Sequence, residues 1–317
     1  WMAAYKEAHP DLYPYLMDGT NGRWPDEPWL PDSLCSDYGI SLKMCPEEDG
    51  TFDETIYSIY DTDEQAEHIA LMYKWSQAGY ISPDQYLTSF DYNGTFGAGN
   101  FLAFAQPLKG NNIKGNEMYE ANRTTEFDYD EITMQPKYVV TTHAGGSMFG
   151  IPVTSQNPEA AMKYLNLMHS DATLVNLMLF GAEGVNYEKI DDTTVRLTDQ
   201  NWYGVHGGAW TVGNTLLQYV TEGEDPQKNA LLQSYADDAI ATASLGFRFV
   251  KDPVSAQIAA VDSVVSEKAN PLMCGQVDPD DPNLGIEALK ADLNAAGMAD
   301  ILAEIQTQYD EWKAAQQ

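Results

Sequence analysis

Three times in the second half of the chain an acid or amide is followed directly by proline: Asn157-Pro158, Asp225-Pro226 and Asp252-Pro253. The side chain of the first residue can accept a backbone N–H of an opening helical turn. Proline at the first helical position gives up no hydrogen bond there. Three such starts commit the second half of the chain largely to helices. After Asn157, the residues Ala161, Met162, Leu165 and Met168 recur at helical spacing and predict a buried stripe. A second short helix is expected to carry Leu174, Leu177 and Met178, and the period returns through Leu289, Leu293, Ile301, Ile305, Tyr309 and Trp312. Gly297 divides that last stretch into two helices.

The first half reads differently. Arg23 to Pro31 holds three prolines and two tryptophans, which predicts a long surface loop rather than a regular element. A helix is expected from about Asp63 to Ala78, capped by Thr62 or Asp63, with Ala66, Ile69, Met72 and Tyr73 inward and Gly79 as its stop. Phe96 to Ala105 suggests a glycine turn feeding a buried strand. Lys137–Thr142 and Thr193–Thr198 are strand-like, the former ending at the glycine-rich stretch His143–Ser147. A few strands among many helices indicate an α/β chain.

Charge removes several function classes. Seventeen Lys and Arg against 48 Asp and Glu leave a formal net charge of −31, a field that repels nucleic-acid phosphates and anionic membrane surfaces alike. No apolar run is long enough to span a bilayer. The five histidines are scattered without zinc-ligand spacing. Cys35 and Cys45 are close enough in sequence to bridge, leaving Cys274 free, yet three reduced thiols fit equally well.

No catalytic signature stands out, and no cofactor is expected. In Gly145–Gly150 a nucleophile elbow would need glycine two places after Ser147, where Phe149 stands. Gly94, Gly97 and Gly99 lack the order and the following Lys of a phosphate loop. Asp278 to Gly285 offers calcium-type oxygens, but Pro282 takes a ligand position of an EF-hand loop; a stiff acidic loop capping the next helix is the plainer reading. A glycosidase needs only two carboxylates at a suitable separation, so a secreted glycoside-cleaving enzyme stays open as an alternative.

The aromatics of Gln200–Asn214 fit neither helical nor strand period. Trp202, Tyr203 and Trp210 sit among glycines and polar residues. Flat rings stack on the C–H faces of sugars while amides and carboxylates bond the hydroxyls. Any one Trp could simply cover a loop-rich core; the cluster, with Trp24 and Trp29, favours a ligand. Trp75 and Trp312 lie on helical stripes and are expected to be packing residues.

Residues 148–168, from Met148-Phe149-Gly150-Ile151-Pro152 to the helix after Asn157-Pro158-Glu159, resemble the extracellular solute-binding proteins of ABC importers. Trp75–Asp84 and Phe96–Asn100 are similar to further segments of that family. Gly181-Ala182-Glu183-Gly184-Val185-Asn186-Tyr187 resembles the Gly-x-Glu-Gly-x-x-Tyr signature of its large, lipoprotein-type, oligosaccharide-class members, and the stretch from Gly246 to Asp310 resembles their closing region. The resemblance implies a two-lobed, helix-rich, periplasmic-binding-protein-like (type II) α/β fold. Ala3–Asp11 looks like a helix that normally follows several N-terminal strands, so the chain is expected to be a fragment dominated by the C-terminal lobe. Residues 1–147 would belong mainly to that lobe, 148–199 would return to the N-terminal lobe, and 200–317 would continue the C-terminal lobe into the family's helical end region.

The function so implied is non-covalent capture of a carbohydrate, an oligosaccharide in this subgroup, for delivery to ABC permease membrane subunits. A monomer is expected, extracytoplasmic and lipid-anchored in its full-length form; a peptide-binding protein on the same fold is a further alternative. Trp202, Tyr203 and Trp210 are the stacking candidates, Asn214 and Glu183 the hydrogen-bonding ones, and Tyr187, Trp24 and Trp29 rim residues. Glu183 and Tyr187 could equally serve structure, as parts of a family signature.

Overall fold

The computed structural model describes residues 1–16, 31–35, 40–43, 50–83, 98–104, 132, 137–141, 148–199 and 211–316. In chain order these form α1 (Met2–Ala8), β1 (Tyr15–Leu16), β2 (Pro31–Cys35), β3 (Ile40–Lys43), β4 (Tyr57–Ser58), α2 (Asp63–Gln77), β5 (Ala103–Phe104) and β6 (Tyr138–Val139). There follow α3 (Pro158–Ser170), α4 (Ala172–Phe180), β7 (Tyr187–Lys189), β8 (Thr194–Leu197), β9 (Val220–Thr221), α5 (Lys228–Asp237) and β10 (Ile240–Ala241). The chain closes with α6 (Ser255–Val264), a π-turn at Val265–Ala269, α7 (Asn270–Met273), α8 (Ile286–Ala295) and α9 (Met298–Ala314).

Local chemistry explains where α2 starts and stops. The Thr62 hydroxyl accepts the Gln65 N–H at 3.2 Å, satisfying one of the free donors of the first turn. Gly79, at φ 72°, turns the chain out of the helix through a conformation that disfavours a side chain. Its inward face carries Ile69 and Met72 as expected, but also the buried polar residues Gln65 and His68. Burial of Ile69 and Met72 is worth roughly 1.5–3 kcal/mol each. Gly297, at φ 103°, separates α8 from α9 as the sequence indicates. Leu289, Leu293, Ile301, Ile305 and Tyr309 all point into the core, and Trp312 lies beside Phe247 and Tyr309 at 5.7 and 5.6 Å between ring centroids. Trp75 meets Tyr15 edge-on at 5.1 Å. Both tryptophans are thus packing residues.

The three Asx-Pro pairs start their helices in different ways. At Asn157 the helix follows at once, with Pro158 in its first turn, although the Asn157 side chain makes no capping bond. The Asp225 carboxylate instead bonds the Gln227 N–H at 2.8 Å, closing a turn before α5 begins at Lys228. Asp252-Pro253 forms a short 3₁₀ turn that leads into α6. The π-turn also has a local cause. Pro271 has no N–H to return and its ring crowds the carbonyl four residues earlier, so the helix widens just before it.

Two expectations need correction. The proline-rich front was expected to hold no regular element near Pro31, yet β2 starts there and pairs antiparallel with β3, which pairs with β4. Proline is tolerated as the first residue of a strand because that N–H need not join the ladder. The stripe predicted after Asn157 is buried only at Met168; Met162 is 58% exposed. Helix α4 carries Leu174, Leu177 and Met178 as expected; its fully buried residues are Val175, Asn176 and Leu179, with Leu174 and Met178 packed beside them.

Pairs distant in sequence build the remaining sheets. Tyr15 and Leu16 run parallel to Ala103 and Phe104, and Tyr138 and Val139 run parallel to Ile240 and Ala241. A main core gathers α2, α6, α7, α8 and α9 with Ile40, Ile56 and Ile59. A second, smaller cluster has Met168, Val175 and Leu179 at its centre, with Leu174, Met178, Phe180, Val212 and Leu217 around them. Strand β9 pairs with β8 through Thr194–Val220 and Val195–Thr221. Strand β9, Val212 and Leu217 thus pack with the unit that contains 158–197.

Candidate functional site

The described candidates Glu183, Tyr187 and Asn214 all lie on this smaller unit. Trp202, Tyr203, Trp210, Trp24 and Trp29, and the stretch 143–147, lie outside the described residues.

Helix α4 is capped by Asp171, whose carboxylate accepts the N–H groups of Thr173 and Leu174 at 2.8 and 3.1 Å. It ends at Gly181, φ 83°. The signature stretch 181–187 then folds back on itself. Asn186 Oδ1 accepts the Ala182 N–H at 2.9 Å, and the Gly184 N–H bonds the Tyr187 carbonyl at 2.7 Å. Thr198 completes the closure by donating its hydroxyl to the Val185 carbonyl at 2.7 Å. Gly184, at φ 78°, supplies the backbone twist that this turn needs.

Tyr187, expected at the rim, is instead 6% exposed. Its ring packs with Phe180 and Tyr219 at 6.1 and 5.9 Å, and burial pushes its phenol above the usual tyrosine range, aided by Tyr219 and Glu183. Glu183 stays at the surface, 3.5 Å from Lys189. Lys189 in turn lies 5.4 Å from the Tyr219 ring centroid, and its hydrogen bond to Tyr219, then the charge of Glu183, raise its pKa. Glu183, Lys189 and Tyr219 thus form a polar, water-facing edge on an aromatic base.

Asn214 serves as a connector. Its Oδ1 accepts the Leu216 N–H at 3.0 Å, its amide donates to the His169 carbonyl at 3.4 Å, and its backbone N–H donates to the Met168 carbonyl at 3.2 Å. The last turn of α3, which leaves its carbonyls without helical partners, is met here by residue 214. Gly213 comes so close that a Cβ on it would run into the Met168 carbonyl.

Sequence reasoning missed Asn176 and the Glu224–Lys228 pair. Asn176 is 1% exposed and donates to the Leu217 carbonyl at 2.9 Å while accepting the Tyr219 N–H at 2.8 Å. A lone amide in an otherwise apolar helix was its signal. Lys228 and Glu224 bond at 2.6 Å with side chains 2% and 4% exposed, and Glu224 also accepts the Thr221 N–H. A charged pair four residues apart usually faces water, so its burial had no sequence signal.

Proton-transfer chemistry finds little support among the described residues. The two carboxylates with displaced pKa values, Asp191 and Glu222, are both held low. For Asp191 the N–H groups of Thr193 and Thr194 are the cause, and for Glu222 the hydrogen-bonded Arg196. Burial raises the Cys274 thiol to about 12, far from a reactive thiolate. Asp278 and Asp281 spend carboxylate oxygens on the N–H groups of Asp280, Asn283 and Leu284 in the loop leading into α8. Among the described residues no three of His, Cys, Asp and Glu gather to hold a metal, and no helix is long and apolar enough to cross a membrane.

Known proteins place this geometry in context. Residues 243–314, which hold α6 to α9, match a family described as a domain of unknown function (DUF3502). A carbohydrate ABC transporter substrate-binding protein of Streptococcus pneumoniae is 29% identical over 258 residues, 80% of this chain and 50% of that protein. The chain thus spans about half the length of the curated relative it matches. The crystal structure of the N-glycan transport solute-binding protein of S. pneumoniae superposes with a TM-score of 0.80 at 24% identity, covering 100% of this chain and 67% of its own. An HMO-binding, ABC-transporter-associated solute-binding protein of Bifidobacterium longum infantis gives 0.55 at 14% identity, covering 98% and 68%. The chain is a homologue of a carbohydrate ABC transporter substrate-binding protein and has the helix-rich, periplasmic-binding-protein-like (type II) α/β fold.

Proposed function

We propose that this protein is the extracytoplasmic substrate-binding component of an ABC transporter and captures an oligosaccharide for import. The observation that carries the reading is the 29% identity to a carbohydrate substrate-binding protein across 80% of the chain. The pneumococcal structure with the same fold has also been solved in complex with Man5GlcNAc, which favours an oligosaccharide over a monosaccharide here. Binding is non-covalent: Trp202, Tyr203 and Trp210 stack on sugar faces, with Trp24 and Trp29 at the rim. Glu183, at the surface beside Lys189, bonds hydroxyls. Tyr187 supports Tyr219 from beneath, and Asn214 ties the end of the aromatic segment to α3, which is a positioning role.

In the same proposal the bound sugar passes unchanged to permease membrane subunits, the protein acts as a monomer, and a lipid anchor holds its full-length form at the cell surface. Residues 1–147 and the end region belong mainly to one lobe, and the unit around α3 and α4 to the other. The test is calorimetric titration with an oligosaccharide panel including high-mannose N-glycans, with a peptide mixture alongside and chromatography of the recovered ligand. Intact recovery and weakened binding in Trp202→Ala, with the fold retained, are expected. Cleaved ligand, peptide preference, or full affinity in that variant would overturn the reading.

A further inference from the structure

Recognition of an anionic sugar needs donors with spare positive charge. Arg is the best of them, because its planar fork matches a carboxylate, sulfate or phosphate. Residues 148–228, which carry most of the candidate residues, hold four cations against ten acids, a net of 4 − 10 = −6. Three of the four are already matched. Arg196 gives both sides of its fork to Glu222, Nε to Oε2 and Nη2 to Oε1, each at 2.6 Å. Lys228 bonds Glu224 at 2.6 Å, and Lys189, on the candidate edge, lies 3.5 Å from Glu183. The fourth, Lys163, is exposed on α3, four residues from Glu159. A helix N-terminus is another ready place for an anion. That of α4 is filled by the Asp171 carboxylate, which takes the N–H groups of Thr173 and Leu174. Elsewhere in the described chain, Lys137, Lys268, Lys290 and Lys313 are paired with Asp238, Asp292, Glu287 and Glu54. An anionic ligand would therefore meet a body of formal charge −31, with most of its described cations already paired.

We infer that the ligand is an uncharged oligosaccharide, and that the protein rejects glycans bearing carboxylate, sulfate or phosphate groups. The inference rests on the oligosaccharide reading above and narrows it. Neutral hydroxyls suit these residues: a carboxylate such as Glu183 accepts their O–H groups, and aromatic faces stack on the C–H faces of the rings. A carboxylate on the sugar would set two acceptors against each other, neither with a proton to share. Unpaired charge of this kind excludes a ligand even where its shape would fit.

The experiment is calorimetric titration with Man5GlcNAc, lacto-N-tetraose and maltotetraose, and with a peptide mixture. Each sugar is used unmodified, with one terminal residue oxidised to the uronic acid, and as the methyl ester of that acid. The ester keeps the size of the acid without its charge, which separates repulsion from misfit. At 10 mM salt, where the Debye length is about 30 Å, the acid of any sugar that binds should be held about tenfold more weakly than its ester. At 1 M salt, where that length is about 3 Å, the gap should narrow. Equal or tighter binding of the acid at 10 mM salt, or a gap that salt leaves unchanged, overturns the inference while the oligosaccharide reading stands. If the peptide mixture binds and no sugar does, the oligosaccharide reading falls and the inference with it.

Discussion

Replacing Asn176 with leucine tests the reasoning about the smaller unit. The two side chains are similar in size, so the change removes hydrogen bonds without opening a large cavity. Three bonds are lost: to the Ala172 carbonyl at 2.8 Å, to the Leu217 carbonyl at 2.9 Å, and from the Tyr219 N–H at 2.8 Å. The Ala172 carbonyl keeps its helical partner, leaving one carbonyl and one N–H stranded. An unsatisfied buried group costs about 1–3 kcal/mol, and both lie in half-buried residues, so about 2–3 kcal/mol in all is expected. Urea unfolding would read this as a lowered midpoint at unchanged slope. Exchange of the Tyr219 amide should quicken by about tenfold for each 1.4 kcal/mol of protection lost. A loss under about 0.5 kcal/mol, the size of an ordinary surface substitution, with unchanged Tyr219 exchange, would show that Asn176 does not hold 217–219 to α4.

Gly275→Ala should destabilise by about 2 kcal/mol or more, since φ is 68° and a Cβ would meet the Met72 carbonyl of α2; a thermal midpoint within 1–2 °C of the parent, roughly 0.5 kcal/mol, would contradict the packing of α7 on α2. Burial holds His68 neutral, with its pKa lowered from 6.5 to about 4. The unfolded chain therefore binds more protons between those values, and stability present above pH 6.5 is lost as the pH falls toward 4, by up to about 3 kcal/mol. His68→Leu should flatten that part of the pH–stability curve, and an unchanged slope would sink the assignment. Lys228→Met leaves Glu224 buried without its cation and should cost about 3–5 kcal/mol. Adding Glu224→Gln should restore part of that, which a double-mutant cycle reads directly.

Much of the helical frame was legible because its signals are local. Thr62, Gly79 and Gly297 cap or stop helices through their own backbone chemistry, and the spacing from Leu289 to Trp312 needs no partner to be recognised. Strands β2 and β3 were hidden for the opposite reason: each is short, Pro31 argues against a strand, and only the cross-strand register from Pro31–Lys43 to Cys35–Ile40 makes them a sheet. At the candidate site the signature Gly181–Tyr187 was visible as a pattern. Whether Tyr187 faced water or protein depended on Phe180 and Tyr219, the second of which is 32 residues away (219 − 187).

The sequence by itself determined the acidity that excludes nucleic acid, the helix-dominated α/β class, most helix limits, and the segments that resemble solute-binding proteins. These depend on composition and on neighbours within a few turns of chain. Only the tertiary structure decided which strands pair, that β9 joins the unit of α3 and α4, and that Tyr187 faces inward. It also decided that Met162 lies uncovered, although its spacing marks it for a buried stripe. Periodicity gives the angle between residues on a helix, but not which of its faces another part of the chain will cover, because burial depends on contacts between residues far apart in sequence.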